Sequence, residues 1–190
     1  MDTEKTLSPQ ESLDIIANAI AKTKENIREN SFGFLLWGWL ITIASFVFFI
    51  LLNYTSFEYF FIPFPILAFL GIITTIIYFR RRNIRSTITY SSSFINKLWI
   101  VLAVSFILVV FINVMQGQFP FTYTLIIAGI GTLVTGWTMN FRPLMIGGII
   151  FLASAVASIY IEDNYKPLLH GLAFIVGYLI PGYLLSKSKS

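Results

Sequence analysis

The sequence predicts an all-α integral membrane protein with six transmembrane helices, arranged as three antiparallel hairpins and preceded by a cytosolic amphipathic helix. Six apolar stretches follow one another, each of roughly 18 to 21 residues and long enough to cross a hydrocarbon core of about 30 Å. Only 12% of the residues are charged and the mean hydropathy is +0.78, whereas soluble domains carry about 25% charged residues. A soluble fold is therefore not expected.

Each apolar stretch should be a helix, because hydrocarbon offers no hydrogen-bond partner to an open backbone. None of them contains Asp, Glu, Lys or Arg. The predicted spans are residues 32–52, 62–79, 98–115, 122–139, 144–161 and 168–185. They leave a cytosolic segment, 1–31, and a basic tail, 186–190.

The orientation follows from the distribution of basic residues. Of the 13 Lys and Arg residues, only Lys166 would lie in an outer loop if the N-terminus were cytosolic. Since cytoplasmic loops carry the excess of Lys and Arg, both chain ends are predicted to lie in the cytosol. The same rule accounts for the net charge of +4, so no nucleic-acid partner is expected.

A helix is predicted over residues 9–30, ahead of the first span. Ser8 and Glu11 have the spacing of a capping box, and Pro9 suits the first helical position. A narrow apolar stripe recurs along this helix at intervals of three, four and seven. The stripe consists of Leu13, Ile16, Ile20 and Ile27. It could pack on the protein's own spans, lie on the membrane surface, or bind a partner or a second copy of the chain.

Small and hydroxyl-bearing residues line two neighbouring faces of the fourth span. Such residues let helix backbones approach closely in a bilayer, where apolar burial does not drive association. The faces consist of Ala128, Gly129, Gly131, Thr132, Thr135, Gly136 and Thr138. They predict close helix packing, which would place the fourth and fifth spans at the centre of the bundle; the alternative is a ligand cavity or water path.

Two further features have a plain and a functional interpretation. The basic run of Arg80, Arg81, Arg82 and Arg85 would keep its loop in the cytosol, and it could also contact anionic headgroups of membrane lipids. His170, the only histidine, could bind a metal or sense pH. It lacks any recognised ligand spacing, so an interfacial, hydrogen-bonded histidine is the expected role.

A weak internal repeat supports the grouping into hairpins. Trp39, Ser45 and Asn53 of the first span recur at a constant offset in the third span as Trp99, Ser105 and Asn113. Apolar helices also resemble each other by composition alone, so chance similarity is the rival explanation.

The absences exclude several function classes. No catalytic residue, metal ligand set or cofactor site is expected, because the spans carry no acidic or basic side chain and the chain has no Cys. The familiar phosphate-loop, zinc-peptidase and serine-hydrolase motifs are also missing. The protein is therefore predicted not to be an enzyme.

The opening, residues 10–45, resembles a group of small bacterial membrane proteins. In that group a stretch like Glu-Ser-Leu-Asp-Ile-Ile, here residues 11–16, precedes one like Ser-Phe-Gly-Phe-Leu-Leu-Trp-Gly-Trp-Leu, here residues 31–40. The group has no assigned function. The resemblance implies a six-span protein of the bacterial inner membrane and transfers no active-site residues.

Two functions are compatible with these features. The first is an interaction or regulatory subunit whose cytosolic helix binds a partner or a second copy. The second is a small-solute binding or transport subunit, which in form looks like the substrate-binding components of energy-coupling-factor transporters. The first span lacks the Ala-x-x-x-Ala contact motif expected of those components.

Overall fold

A computed structural model describes Gln10, Leu13, residues 31–83 and residues 90–187. These parts of the chain are helical and contain no strand. Six helices follow one another: α1 (Ser31–Tyr54), α2 (Pro63–Asn83), α3 (Tyr90–Met115), α4 (Phe121–Thr138), α5 (Arg142–Tyr160, ending in the 3₁₀ turn Ser158–Tyr160) and α6 (Asp163–Lys187). Prolines stand at or beside the starts of α2, α4, α5 and the α-helical part of α6, which begins at Lys166 after a 3₁₀ turn; a missing N–H group costs little there.

Five of the helices, all except α2, are long and apolar enough to cross a membrane. The apolar part of α2, Pro63–Tyr78, is shorter; Phe79 and then Arg80, Arg81 and Arg82 follow it in the helix. At about 1.5 Å per residue this part covers roughly 24 Å. The described part of the chain is thus all-helical and has five span-length helices, and the sixth span and the hairpin grouping remain predictions.

The most extensive helix contact joins α4 to α5. A short turn connects these helices, with Asn140 at a positive φ of 50°. Glycines allow the close approach: a β-carbon at Gly148 would stand 2.7 Å from the backbone nitrogen of Leu133, and one at Gly136 would stand 2.7 Å from that of Met145. This pair belongs to two different predicted hairpins.

Helix α6 packs against α1, α4 and α5, and more of its apolar length is buried than in any other described helix. The expectation that the fourth and fifth spans form the centre is therefore incomplete, since the sixth span lies there as well. The reason is its own set of small residues: Gly171 faces Ser45, and Gly177 faces Phe151.

A π-helical segment, Ile175–Leu179, interrupts α6 just before Pro181. Pro181 has no N–H group, so the regular α-helical hydrogen bond to the Gly177 carbonyl cannot form. The N–H of Ile180 instead donates to the carbonyl of Ile175, five residues back. The sequence position of Pro181 thus explains where the helix changes its winding.

Helices α2 and α3 lie at the periphery. Helix α2 packs mainly on α1, and α3 mainly on α4. The side chains of Trp37 and Leu40 in α1 pack against Gly71 of α2. Those of Trp99 and Leu102 in α3 pack against Gly131 of α4. The remaining surface of both outer helices is largely exposed and apolar.

Candidate functional site

His170 connects three helices through its two ring nitrogens. Its side chain is 2% exposed. The Oγ atom of Ser45 in α1 lies 2.9 Å from Nδ1, and the Oγ1 atom of Thr124 in α4 lies 3.1 Å from Nε2. The histidine is hydrogen-bonded as expected, and it is buried because α1, α4 and α6 close around it; its depth at the membrane interface stays a prediction.

The direction of these hydrogen bonds follows from the Thr124 hydroxyl. Its single hydrogen points to the carbonyl oxygen of Phe121, 2.9 Å away, so Oγ1 can only accept from His170. The Nε2 atom therefore carries the proton and donates, and Nδ1 accepts from the hydroxyl of Ser45. With a neutral imidazole, each donor in this series of hydrogen bonds, from Ser45 through His170 and Thr124 to the Phe121 carbonyl, has an acceptor.

Three aromatic rings enclose the imidazole. The ring centroids of Phe174, Phe121 and Phe64 lie 4.8, 5.2 and 6.2 Å from that of His170. The acidic residue Asp163 pairs instead with Lys166, at 2.6 Å, near the start of α6. Among the described residues no group of three or more potential ligands could hold a metal ion. The imidazole and its two hydroxyl partners thus link α1, α4 and α6 by hydrogen bonds.

The small-residue faces of α4 make contacts with both neighbouring helices. Gly131 lies against α3, and Gly129 and Gly136 lie against α5. Ala128, Thr132 and Thr135 are buried. These contacts are those of close helix packing.

The hydroxyl groups on these faces are satisfied within the core. Thr132, Thr135 and Thr138 each donate to the carbonyl oxygen four residues earlier in α4. Thr135 also accepts a hydrogen bond of 3.1 Å from Nε1 of Trp99, and Thr124 is hydrogen-bonded to Nε2 of His170 in α6. The polar groups of α4 thereby connect it to α3 and α6.

Two buried hydroxyl oxygens differ from all of these, those of Thr42 and Thr75, because neither has a hydrogen-bond partner within the described structure. Thr42 of α1 is 4% exposed, yet its Oγ1 atom has no hydrogen-bond partner. It lies on the same face of α1 as Ser45, one turn nearer the N-terminus of the helix. An unpaired hydroxyl in the core lowers stability.

The N-terminal stripe falls largely outside the described residues. Leu13 is helical and 66% exposed, while Ile16, Ile20 and Ile27 are not described. Of the basic run, Arg80 and Arg81 are exposed at the end of α2; the side chain of Arg82, and Arg85 as a whole, lie beyond the described structure.

Sequence reasoning identified His170 but not its partners. Ser45 and Thr124 are single hydroxyls in apolar spans, and such residues commonly bond to their own helix. One weaker indication of these partners was present in the sequence. A buried histidine needs two hydrogen-bond partners, and hydroxyl-bearing residues at the same depth in other spans can supply them.

Comparison with known proteins identifies no relative: no family model matches the chain, and no curated protein or solved structure is similar to it. Its function is therefore inferred from its own residues.

Proposed function

We propose that this protein is a six-span subunit of the bacterial inner membrane, with three helical hairpins and both ends in the cytosol, that acts without catalysis. In this proposal its N-terminal helix binds a protein partner or a second copy of the chain. The protein would then serve as an interaction or regulatory component.

The exposed apolar surface supports the membrane location. Along α3, Ile100, Ile107 and Met115 are 65%, 64% and 71% exposed. Water-soluble monomers rarely expose contiguous apolar surface beyond a few hundred Å², whereas lipid tails solvate it. The distribution of Lys and Arg supports the orientation.

The state of the core supports a role without catalysis. The buried hydroxyls of Ser45, Thr124, Thr132 and Thr135 are engaged with their own helices or with neighbouring ones. His170 uses both of its nitrogens within the core. These groups hold helices together, and a catalytic group would need access to a substrate.

The exposure of Leu13 carries the proposal for the N-terminal helix. Leu13 begins the apolar stripe, and its side chain is 66% exposed. A stripe that docked on its own spans would bury its first Leu. Since an amphipathic helix gains most of its stability by burying its apolar face, this exposure favours a partner outside the chain.

The test replaces three stripe residues in the full-length protein, as Leu13→Ser, Ile16→Ser and Ile20→Ser. Native mass spectrometry in mild detergent then reports the copy number and the proteins retained. We expect the variant to lose a second copy or a retained partner, while its thermal unfolding stays unchanged.

The matched control is Asn18→Ser, Lys22→Ser and Glu29→Ser, which alters the opposite face of the predicted helix and conserves the net charge. It should behave as the unmodified chain does. Equal copy number and equal retained proteins in all three samples would refute the proposal. A small solute retained by all three would favour the transport alternative.

A further inference from the structure

An exposed hydrogen bond joins α1 and α6 on the lipid-facing side of the bundle. The Nε1 atom of Trp39 donates to the hydroxyl oxygen of Tyr183 over 3.1 Å. Both residues remain nearly half exposed, at 47% and 45%. Trp and Tyr favour the level of the lipid headgroups, where an apolar ring and a polar edge are both accommodated. The pair thus marks a position at the membrane interface.

The direction of this bond leaves one donor free. An indole N–H can only donate, so the oxygen of Tyr183 is the acceptor. The hydroxyl hydrogen of Tyr183 is then available for a second acceptor, and none is found among the described residues. Because the donor is exposed and fixed in position by Trp39, it can be used by a ligand outside the protein.

Lys187 lies four residues after Tyr183, in the last turn of α6. Residues four apart share one helical face, about 6 Å apart along the axis. Lys187 is exposed, and its long stem lets the ammonium group reach headgroup level. The hydroxyl donor and the cation therefore face the same region outside α6.

Apart from Lys166, which pairs with Asp163, the charged residues of the described structure divide by sign between the two ends of the bundle. The acidic residues Glu58, Glu162 and Asp163 precede α2 and α6. The exposed basic residues at the opposite end carry no ion pair within the described structure; they are Arg80, Arg81, Lys97, Arg142 and Lys187. Only an anion from outside this part of the chain can neutralise Lys187.

We infer that Trp39, Tyr183 and Lys187 form a binding site for the headgroup phosphate of an anionic phospholipid. Tyr183 donates a hydrogen bond to a phosphate oxygen, and Lys187 supplies the charge. The Trp39 ring lies where the glycerol backbone and the first acyl carbons would pack. The site depends on the membrane location proposed above but not on partner binding by the N-terminal helix.

The test measures bound lipid on the full-length protein by native mass spectrometry. The protein is titrated in detergent with phosphatidylglycerol and, separately, with phosphatidylcholine. We expect preferential retention of phosphatidylglycerol and about a five-fold loss of affinity in Lys187→Gln, since a juxtamembrane base contributes roughly 1 kcal/mol. Tyr183→Phe, which keeps the ring and removes the donor, should also weaken binding.

The control is Lys97→Gln, which removes an exposed lysine from α3 at the same end of the bundle. Equal losses in Lys97→Gln and Lys187→Gln would mean general charge attraction and would overturn the site, as would equal retention of the two lipids. Displacement of phosphatidylglycerol by free inorganic phosphate at matched concentration would also contradict a lipid site.

Two further measurements separate the possible failures. Thermal unfolding of each variant in detergent without added lipid shows whether the fold is intact. The variant altered at Leu13, Ile16 and Ile20 should bind phosphatidylglycerol normally. If it lost its partner and kept its lipid, the two proposals would stand independently; if it lost phosphatidylglycerol, the N-terminal helix would be the binding element and the site would be refuted.

Discussion

The backbone of Gly147 in α5 packs directly on the carbonyl group of Gly177 in α6. A β-carbon at position 147 would stand 2.5 Å from the Gly177 oxygen and 3.2 Å from its carbon. Pro181 removes the N–H group that would normally bond to this carbonyl. The Cα hydrogens of Gly147 are weak donors that can face it instead. The close contact between α5 and α6 thus depends on the absence of a side chain at Gly147.

Gly147→Ala should destabilise the protein by about 1–3 kcal/mol. The added methyl group would meet backbone atoms, which cannot move away as the end of a flexible side chain can. Thermal unfolding in detergent, followed by tryptophan fluorescence, measures the effect.

Gly33→Ala is the matched control, because a β-carbon there has nothing within 4 Å. It should be neutral or slightly stabilising, since Ala favours a helix over Gly by about 1 kcal/mol. Equal losses in both variants would show that the contact between Gly147 and Gly177 is not tight.

Thr→Val substitutions at two positions of the core should have opposite effects. Val has nearly the shape of Thr but lacks its hydroxyl. At Thr42 that hydroxyl has no partner, so Thr42→Val should raise stability by about 1 kcal/mol. At Thr124 the hydroxyl accepts from His170, so Thr124→Val should lower stability by about 0.5–2 kcal/mol. Denaturation of both variants in the same detergent measures the two changes in stability. A lower stability in Thr42→Val would mean that the hydroxyl of Thr42 has a hydrogen-bond partner after all.

The hydrogen-bond chain through His170 should be cooperative. Ser45→Ala leaves Nδ1 without a donor, and Thr124→Val leaves the Nε2 proton without an acceptor. Each should cost about 0.5–2 kcal/mol. Replacing the imidazole as well, in His170→Phe combined with both changes, removes the unsatisfied groups, so the triple variant should lose less than the three single losses together. Additive losses in urea or thermal unfolding would argue against the chain.

The sequence predicts the helices more fully than their arrangement. Apolar length is a local property, so the five span-length helices could be located from hydropathy alone; the apolar part of α2 is shorter than theirs. Packing partners depend on shape across the chain: the repeat links Trp39 with Trp99, yet Trp39 bonds to Tyr183 on the surface and Trp99 to Thr135 inside. Only three-dimensional packing distinguishes these two environments.

In the candidate site, too, the residues can be identified from the sequence but their contacts cannot. His170 is conspicuous as the only histidine in the chain, but its burial depends on which faces of α1 and α4 turn toward α6. The small residues of α4 indicate close contact without naming a neighbour. In the structure Gly131 contacts α3 and Gly136 contacts α5, because the two glycines lie on different sides of α4.

The proposed topology can be tested with single cysteines, since the natural chain contains none. Ser12→Cys and Ser190→Cys should be protected from a membrane-impermeant maleimide in intact spheroplasts and labelled after lysis. Thr55→Cys lies between α1 and α2, and Asn164→Cys lies at the start of α6; both should be labelled without lysis. Thr55→Cys reports on α1 alone, because it precedes α2, whereas Asn164→Cys also reports whether α2 spans. If α2 did not span, the loops after it would change sides, so labelling of Thr55→Cys together with protection of Asn164→Cys would leave five spans and contradict the cytosolic C-terminus.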